Sequence, residues 1–159
     1  MVNMTPKEMN LVNDLKKQEK LCIEKYRQYA SRACDNRLKC LFQELEQHEN
    51  HHLQMLEEMG RGQIPQDTQN GQQSNQQDNQ ANASRCAHEN TCSQQDFETD
   101  KFLCQDALSM EKYVSSAYDT DIFEFSDTGM RDALNRIQKQ EQQHGEKIWQ
   151  YMNENNMYH

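Results

Sequence analysis

With 159 residues, 34% of them apolar, the chain has room for one domain and one core, and its mean hydropathy of -1.20 is low for a globular protein. A formal net charge of -9 and a pI near 5.1 exclude nucleic acid and anionic membranes as natural partners and favour cations. No apolar run reaches the roughly 18 residues of a membrane span, and Met1 to Asn10 lacks the apolar stretch of a signal peptide, so the chain is expected to be soluble and cytoplasmic.

The first helix is expected to start at Thr5-Pro6, a cap followed by proline at the first helical position, and to end at a loop near residues 31–35. Its apolar seam, in alternating steps of three and four, runs Val12, Leu15, Glu19, Cys22, Tyr26, Tyr29, with one acid in the middle. Asp35 caps the second helix, whose seam reads Leu38, Phe42, Leu45, Glu49, His52, Leu56, Met59 and whose end is marked by Gly60. Residues 61–96 follow, and 15 of these 36 are Gln or Asn, with no Phe, Tyr or Trp. Such a segment buries too little apolar area to offset its ordering entropy, so it reads as a linker. From Phe97 to about Asn155 a second hairpin repeats the first. Its third helix has the seam Cys104, Ala107, Glu111, Val114, Tyr118, Asp121; a loop at 123–127 and the cap Asp127 lead to the fourth, with Met130, Leu134, Ile137, Glu141, His144, Ile148, Tyr151. The predicted fold is an all-α four-helix bundle built from two duplicated hairpins.

The duplication holds at an offset of 92 residues, which superposes Asp14 on Asp106, Glu19 on Glu111, Lys20 on Lys112, Tyr26 on Tyr118, Asp35 on Asp127, Glu49 on Glu141 and His52 on His144. Glu19 lies about 12 residues before its loop and Glu49 about 14 after it, so at roughly 1.5 Å per residue they stand about 18 and 21 Å from the same end of the hairpin. Each half thus brings a lone glutamate and a Glu-x-x-His pair to one level, and two halves paired about a two-fold axis bring four carboxylates and two imidazoles together. A 36-residue flexible linker has an r.m.s. span of about 30–36 Å, near the roughly 38 Å of a 25-residue helix, which favours a full-length crossover between the halves.

An isolated carboxylate in an apolar core costs several kcal/mol even after relaxation. No Lys or Arg occupies a seam position, whereas two divalent ions supply four positive charges against the carboxylates of Glu19, Glu49, Glu111 and Glu141, with His52 and His144 completing the donor set. Carboxylate-rich sites with one imidazole per ion suit iron or manganese, with zinc an alternative occupant of purified protein, and the two redox metals fit equally. A Glu from each of two helices with a Glu-x-x-His from each of the others is the pattern of di-metal carboxylate bundles. The competing reading is a metal-free core of Glu–His hydrogen bonds.

This six-residue pattern resembles the ferritin-like superfamily, with the six-ligand pattern of bacterioferritin and, less closely, of rubrerythrin. Asn13-Asp14-Leu15 with Glu19-Lys20 and Tyr26, Gln105-Asp106 with Glu111-Lys112 and Tyr118, and the ending Tyr151-Met152 to Tyr158 are similar to spore coat protein F-like proteins. The resemblance implies a ferritin-like domain deposited in the spore coat. Two functions stand foremost, a di-metal protein reacting with oxygen or peroxide, or a structural coat protein that uses the bundle as a scaffold and binds coat proteins or copies of itself; iron storage is a third, weaker option, since the sequence identifies no cage-forming surface.

Tyr26 and Tyr118, one heptad beyond the seam glutamates, are candidates for bonds to the metal ligands, against the alternative of core tyrosines. Asp14 and Asp106 are candidate partners for the imidazoles, against ordinary inter-helix hydrogen bonds. His48 and His51 read as surface residues, and Lys20 and Lys112 as solvated. The six cysteines do not follow the repeat, so thiols are expected, with Cys86 and Cys92 suited to cross-linking and Cys86, His88 and Cys92 only weakly like a metal knuckle.

Overall fold

Capping side chains set the helix starts in the computed structural model, which describes residues 1–66, 86 and 91–158. Among these residues are four helices and no strand: α1 (Pro6–Arg32), α2 (Asn36–Gly60), α3 (Gln94–Ile122) and α4 (Thr128–Glu154). Thr5 forms a capping box with Glu8, and Asp35 and Asp127 accept from Arg37 N–H and Met130 N–H, so all three expected caps are in place. The start of α3 differs from expectation. Ser93 and Asp96 make a second capping box, so the helix begins at Gln94 rather than Phe97. At the end of α2 it is Gly62, with φ +75°, that takes the left-handed turn, two residues past Gly60; a Cβ there would stand 2.6 Å from the Val2 carbonyl oxygen.

The helices pack as two antiparallel hairpins, α1 with α2 and α3 with α4, which lie against each other through α1–α3 and α2–α4. Contacts at the ends give the directions. Lys7 at the start of α1 pairs with Glu124 just past α3, while Asp100 near the start of α3 accepts from the Cys34 and Asp35 N–H groups beyond α1, at 2.8 and 3.0 Å. Tyr151 near the end of α4 donates to Asp35 at the start of α2, at 2.6 Å. With α1 running up, α2 and α3 both run down and α4 up. The chain therefore leaves α2 at the bottom, where Val2 N–H meets Gly62 O at 2.8 Å, and enters α3 at the top. That is the full-length crossover; residues 67–85 and 87–90 of it lie outside the described residues.

The seam side chains form the core as expected, with Val12, Leu38, Phe42, Leu45, Leu56, Met59, Ala107, Leu134, Ile137 and Ile148 all 0% exposed, except that Asp121 at the end of α3 is only half-buried. Burial stabilises each large aliphatic or aromatic side chain by about 1.5–3 kcal/mol. The repeat also extends to a pair that the seam reading did not include. Glu8 and Asp100, 92 residues apart, are both buried, and each ties the start of its helix to the loop of the other hairpin. Glu8 accepts from Ser126 N–H at 2.8 Å and Thr5 N–H at 2.7 Å, and these bonds, that of Ser126 foremost, hold its carboxyl down at about 2. No helix among the described residues is long and apolar enough to cross a membrane.

The expectation of free thiols is corrected. Cys34 is bonded to Cys92 and Cys40 to Cys86, which pins the returning end of the crossover to α2 and to the corner before it. The bridges ignore the repeat because only one end of the crossover returns to this corner. Cys22 and Cys104 are buried free thiols, and His88 of the suggested knuckle lies outside the described residues.

Candidate metal centre

The mid-seam acids and imidazoles of all four helices converge on one level of the bundle, where Glu19, Glu49, His52, Glu111, Glu141 and His144 are at most 3% exposed. They divide into two overlapping donor sets. Glu19, Glu49, His52 and Glu141 offer one donor atom each, all within 4.8 Å of one another, and so do Glu49, Glu111, Glu141 and His144. Glu49 and Glu141 belong to both sets, while Glu19 with His52 and Glu111 with His144 belong to one each. The Glu-x-x-His spacing accounts for this: positions i and i+3 share a helix face, so each pair delivers a shared carboxylate and an unshared imidazole together.

Inside the cluster the imidazoles bind the carboxylates. His52 Nδ1 lies 3.0 Å from Glu49 and 3.1 Å from Glu141, and His144 Nδ1 lies 3.2 Å from Glu141, 3.3 Å from Glu49 and 3.5 Å from Glu111. The outer ring nitrogens are fixed from outside. Gln140 Oε1 is 2.7 Å from His52 Nε2, and His48 Nδ1 is 3.2 Å from His144 Nε2. An amide oxygen accepts, so His52 carries its proton on Nε2 and turns Nδ1 inward. His48 plays the same part for His144: burial and the neighbouring His144 push it down to about 4, which leaves a neutral acceptor. This corrects the reading of His48 as a surface residue; His51 is exposed.

The two tyrosines cross between halves. Tyr26 donates to Glu111 and Tyr118 to Glu19, and both phenols, fully buried, are pushed well above their ordinary value by burial and by the carboxylate each faces, so they remain donors. The suggested roles of Asp14 and Asp106 are not what the structure places there. Asp14 is exposed and pairs with Lys17 at 3.1 Å, and Asp106 accepts from Tyr29 and from Lys25 at 3.3 Å. His48 and Gln140 occupy equivalent positions of the 92-residue repeat, each just before the Glu of its Glu-x-x-His, and each binds the imidazole of the other half; because the residue type differs between the halves and the position flanks the seam, this signal escapes a reading of the seam alone.

Electrostatics show how such a cluster survives without an ion. Burial, then the charges of Glu49 and Glu141, push Glu19 well up, and burial and Glu141 push Glu111 to about 7. Against the same burial, hydrogen bonds from His144 and His52 hold Glu49 at about 2, and bonds from Glu111 and both histidines hold Glu141 low. Burial alone would depress the histidines, but the carboxylates outweigh it, raising His52 to about 9 and His144 well above its ordinary value. Below about pH 7 the cluster is then close to neutral, with two imidazolium ions, two carboxylates and two carboxyls that hold their protons. Two dications displacing four protons leave it neutral again.

The donor set fits divalent cations on a further observation. Glu19 Oε2 and Glu111 Oε2 are buried with no hydrogen-bond partner, an arrangement costing about 1–3 kcal/mol each, and Glu141 Oε2 makes no well-formed hydrogen bond, with only the His144 Nδ1 contact at 3.2 Å; a bound cation relieves all three. Every one of these oxygens belongs to a residue of the two donor sets. The absence of thiolate from the sets suits harder metals than zinc or copper(I), and Cys22, pushed up by burial and by Glu49, stays a thiol.

No curated protein and no solved structure gives a significant match to the chain. Residues 99–159, which carry Glu111, Tyr118, Glu141 and His144 and nearly all of the second hairpin, match the Coat F domain family.

Proposed function

We propose that the chain is a structural component of the spore coat whose bundle holds a pair of divalent cations in the Glu19/Glu49/His52/Glu111/Glu141/His144 cluster. The Coat F match supports the coat reading. The observation that carries the metal reading is the pair of donor sets sharing Glu49 and Glu141, with three buried carboxylate oxygens that make no hydrogen bond. In this reading Glu19 and His52 serve one ion, Glu111 and His144 the other, and Glu49 and Glu141 both. Tyr26 and Tyr118 hold the outer carboxylates in place, and Gln140 and His48 set the ring tautomers. Iron or manganese held there would supply redox chemistry toward oxygen or peroxide, the activity that the likeness to ferritin-like proteins implies.

A second reading is favoured by the proton arrangement. The six groups balance charge and bond to one another without metal, as a polar core in a pure scaffold would. Elemental analysis after equilibrium dialysis against Fe²⁺ or Mn²⁺ separates the two. The metal reading expects about two ions per chain in the wild type and loss of both in Glu49→Ala or Glu141→Ala, because each of these residues serves both sets. Metal-free wild type would leave the scaffold alone. Immunodetection of the chain in coat extracts of spores, and not in the spore core, tests the location.

A further inference from the structure

The two halves seal the cluster unequally. Glu111 is 3% exposed against 0% for Glu19, Glu141 1% against 0% for Glu49, and His144 2% against 0% for His52, so what exposure exists lies on the side of the second hairpin. There a cleft of about 610 Å³ between α3 and α4 has Glu111 and Glu141 in its lining. One helical turn beyond each of these acids the lining residues are Ser115 and Gly145. The repeat places Ile23 and Leu53 at the same positions of the first hairpin, and Ile23 is buried. Branched side chains fill in one half what a hydroxymethyl group and a hydrogen leave open in the other. The cleft also suits a cation, because Asp119 and Glu146 line it against Lys112 alone among cationic residues. Its most buried acids, Glu111 and Glu141, each carry a buried oxygen that makes no hydrogen bond.

Resting on the metal reading above, we infer that this α3–α4 cleft is the entrance to the cluster. Hydrated divalent cations pass Ser115 and Gly145 and reach the Glu111/His144 set before the Glu19/His52 set, so a site that is symmetric in its ligands is loaded from one side.

The test is stopped-flow mixing of the full-length protein with Co²⁺, whose absorption bands report bound ion directly. The variant Ser115→Ile with Gly145→Leu gives the second hairpin the residues of the first. It is expected to bind as many ions at equilibrium as the wild type but to take them up slower, on the order of tenfold or more, since entry then waits on local opening of the bundle. A Cβ at Gly145 would meet Leu108 Cδ1 at 3.7 Å, an ordinary contact, so Gly145→Ala is a milder closure that keeps the fold if the double variant does not. In the open wild-type background His144→Ala should remove the fast phase of uptake and His52→Ala the slow one. Uptake by the closed variants as fast as by the wild type, or a fast phase that survives His144→Ala and disappears in His52→Ala, overturns the entrance while leaving the metal site standing. A wild type that binds no Co²⁺ at equilibrium overturns the metal reading and its entrance together.

Discussion

Removing Tyr26 and Glu111 together, as Tyr26→Phe with Glu111→Leu, should make the metal-free protein more stable and cost it its response to metal. In the wild type Glu111 is 3% exposed, its Oε2 has no partner, and burial with the nearby Glu141 opposes its ionisation. An unpaired buried carboxylate oxygen costs about 1–3 kcal/mol, and taking out the tyrosine hydroxyl with it leaves no stranded donor behind. His144 keeps Glu49 and Glu141 as partners, at 3.3 and 3.2 Å. In the presence of a chelator the variant should therefore gain about 1–2 kcal/mol, which for a domain of this size raises Tm by roughly 2–8 °C. Excess Mn²⁺ at about a hundred times Kd adds about 2.7 kcal/mol per occupied site to the wild type, and the variant lacks the donor that one set requires. The order of stabilities then inverts between the two conditions. Circular-dichroism melts of both proteins in chelator and in Mn²⁺ give the comparison. A variant less stable than the wild type in chelator, with an unchanged Mn²⁺ shift, would refute the reasoning, since the carboxylate would then be a structural bond and not a ligand held in reserve.

The proton inventory gives a pH dependence. With Glu111 raised to about 7 and His52 to about 9, and with Glu19 and His144 raised too, metal uptake near pH 6.5 should release about four protons per two ions. Release falls and apparent affinity rises as pH climbs toward 9, measurable by calorimetry in buffers of different ionisation heat; uptake without proton release contradicts the assignment. In chelator the sign for His52 is fixed by its raised value: its contribution to stability is fully present below 6.5 and is lost as pH rises through about 9. Gln140→Leu, which unfastens His52 Nε2, should weaken metal binding by about 10- to 100-fold with little change in the metal-free melt, as dialysis against a graded Mn²⁺ series would show. Cys34→Ser with Cys92→Ser opens a bridge spanning 58 residues and should cost about 2–4 kcal/mol, read as a lower Tm that matches reductant-treated wild type more closely than oxidised wild type.

The parts of the structure that were legible are those governed by periodicity. A repeat of 92 residues with an acid or a Glu-x-x-His in the seam leaves a helix no choice but to turn those groups inward, and the crossover followed from linker length against helix length. Residues that act on the cluster from beside the seam were not legible. His48 and Gln140 share one position of the 92-residue repeat, but as an imidazole in one half and an amide in the other, and their roles come from facing the other hairpin's histidine. Asp14 shows the converse: it shares the repeat with Asp106, yet each faces a lysine on α1 rather than an imidazole. Pairings of Cys34 with Cys92 and Cys40 with Cys86 depend on where the crossover returns, a three-dimensional fact that spacing does not encode. The asymmetry of the α3–α4 cleft was in the sequence all along, as Ser115 and Gly145 against Ile23 and Leu53, but it takes the packed helices to give small residues that meaning.

The most direct test of the central claim is anomalous diffraction at the manganese edge from crystals of the wild-type protein grown with Mn²⁺. The expected map has two peaks inside the bundle, one in reach of Glu19 and His52, the other of Glu111 and His144, and both in reach of Glu49 and Glu141. A map with no peak among these six side chains, showing them hydrogen-bonded only to one another, would contradict it.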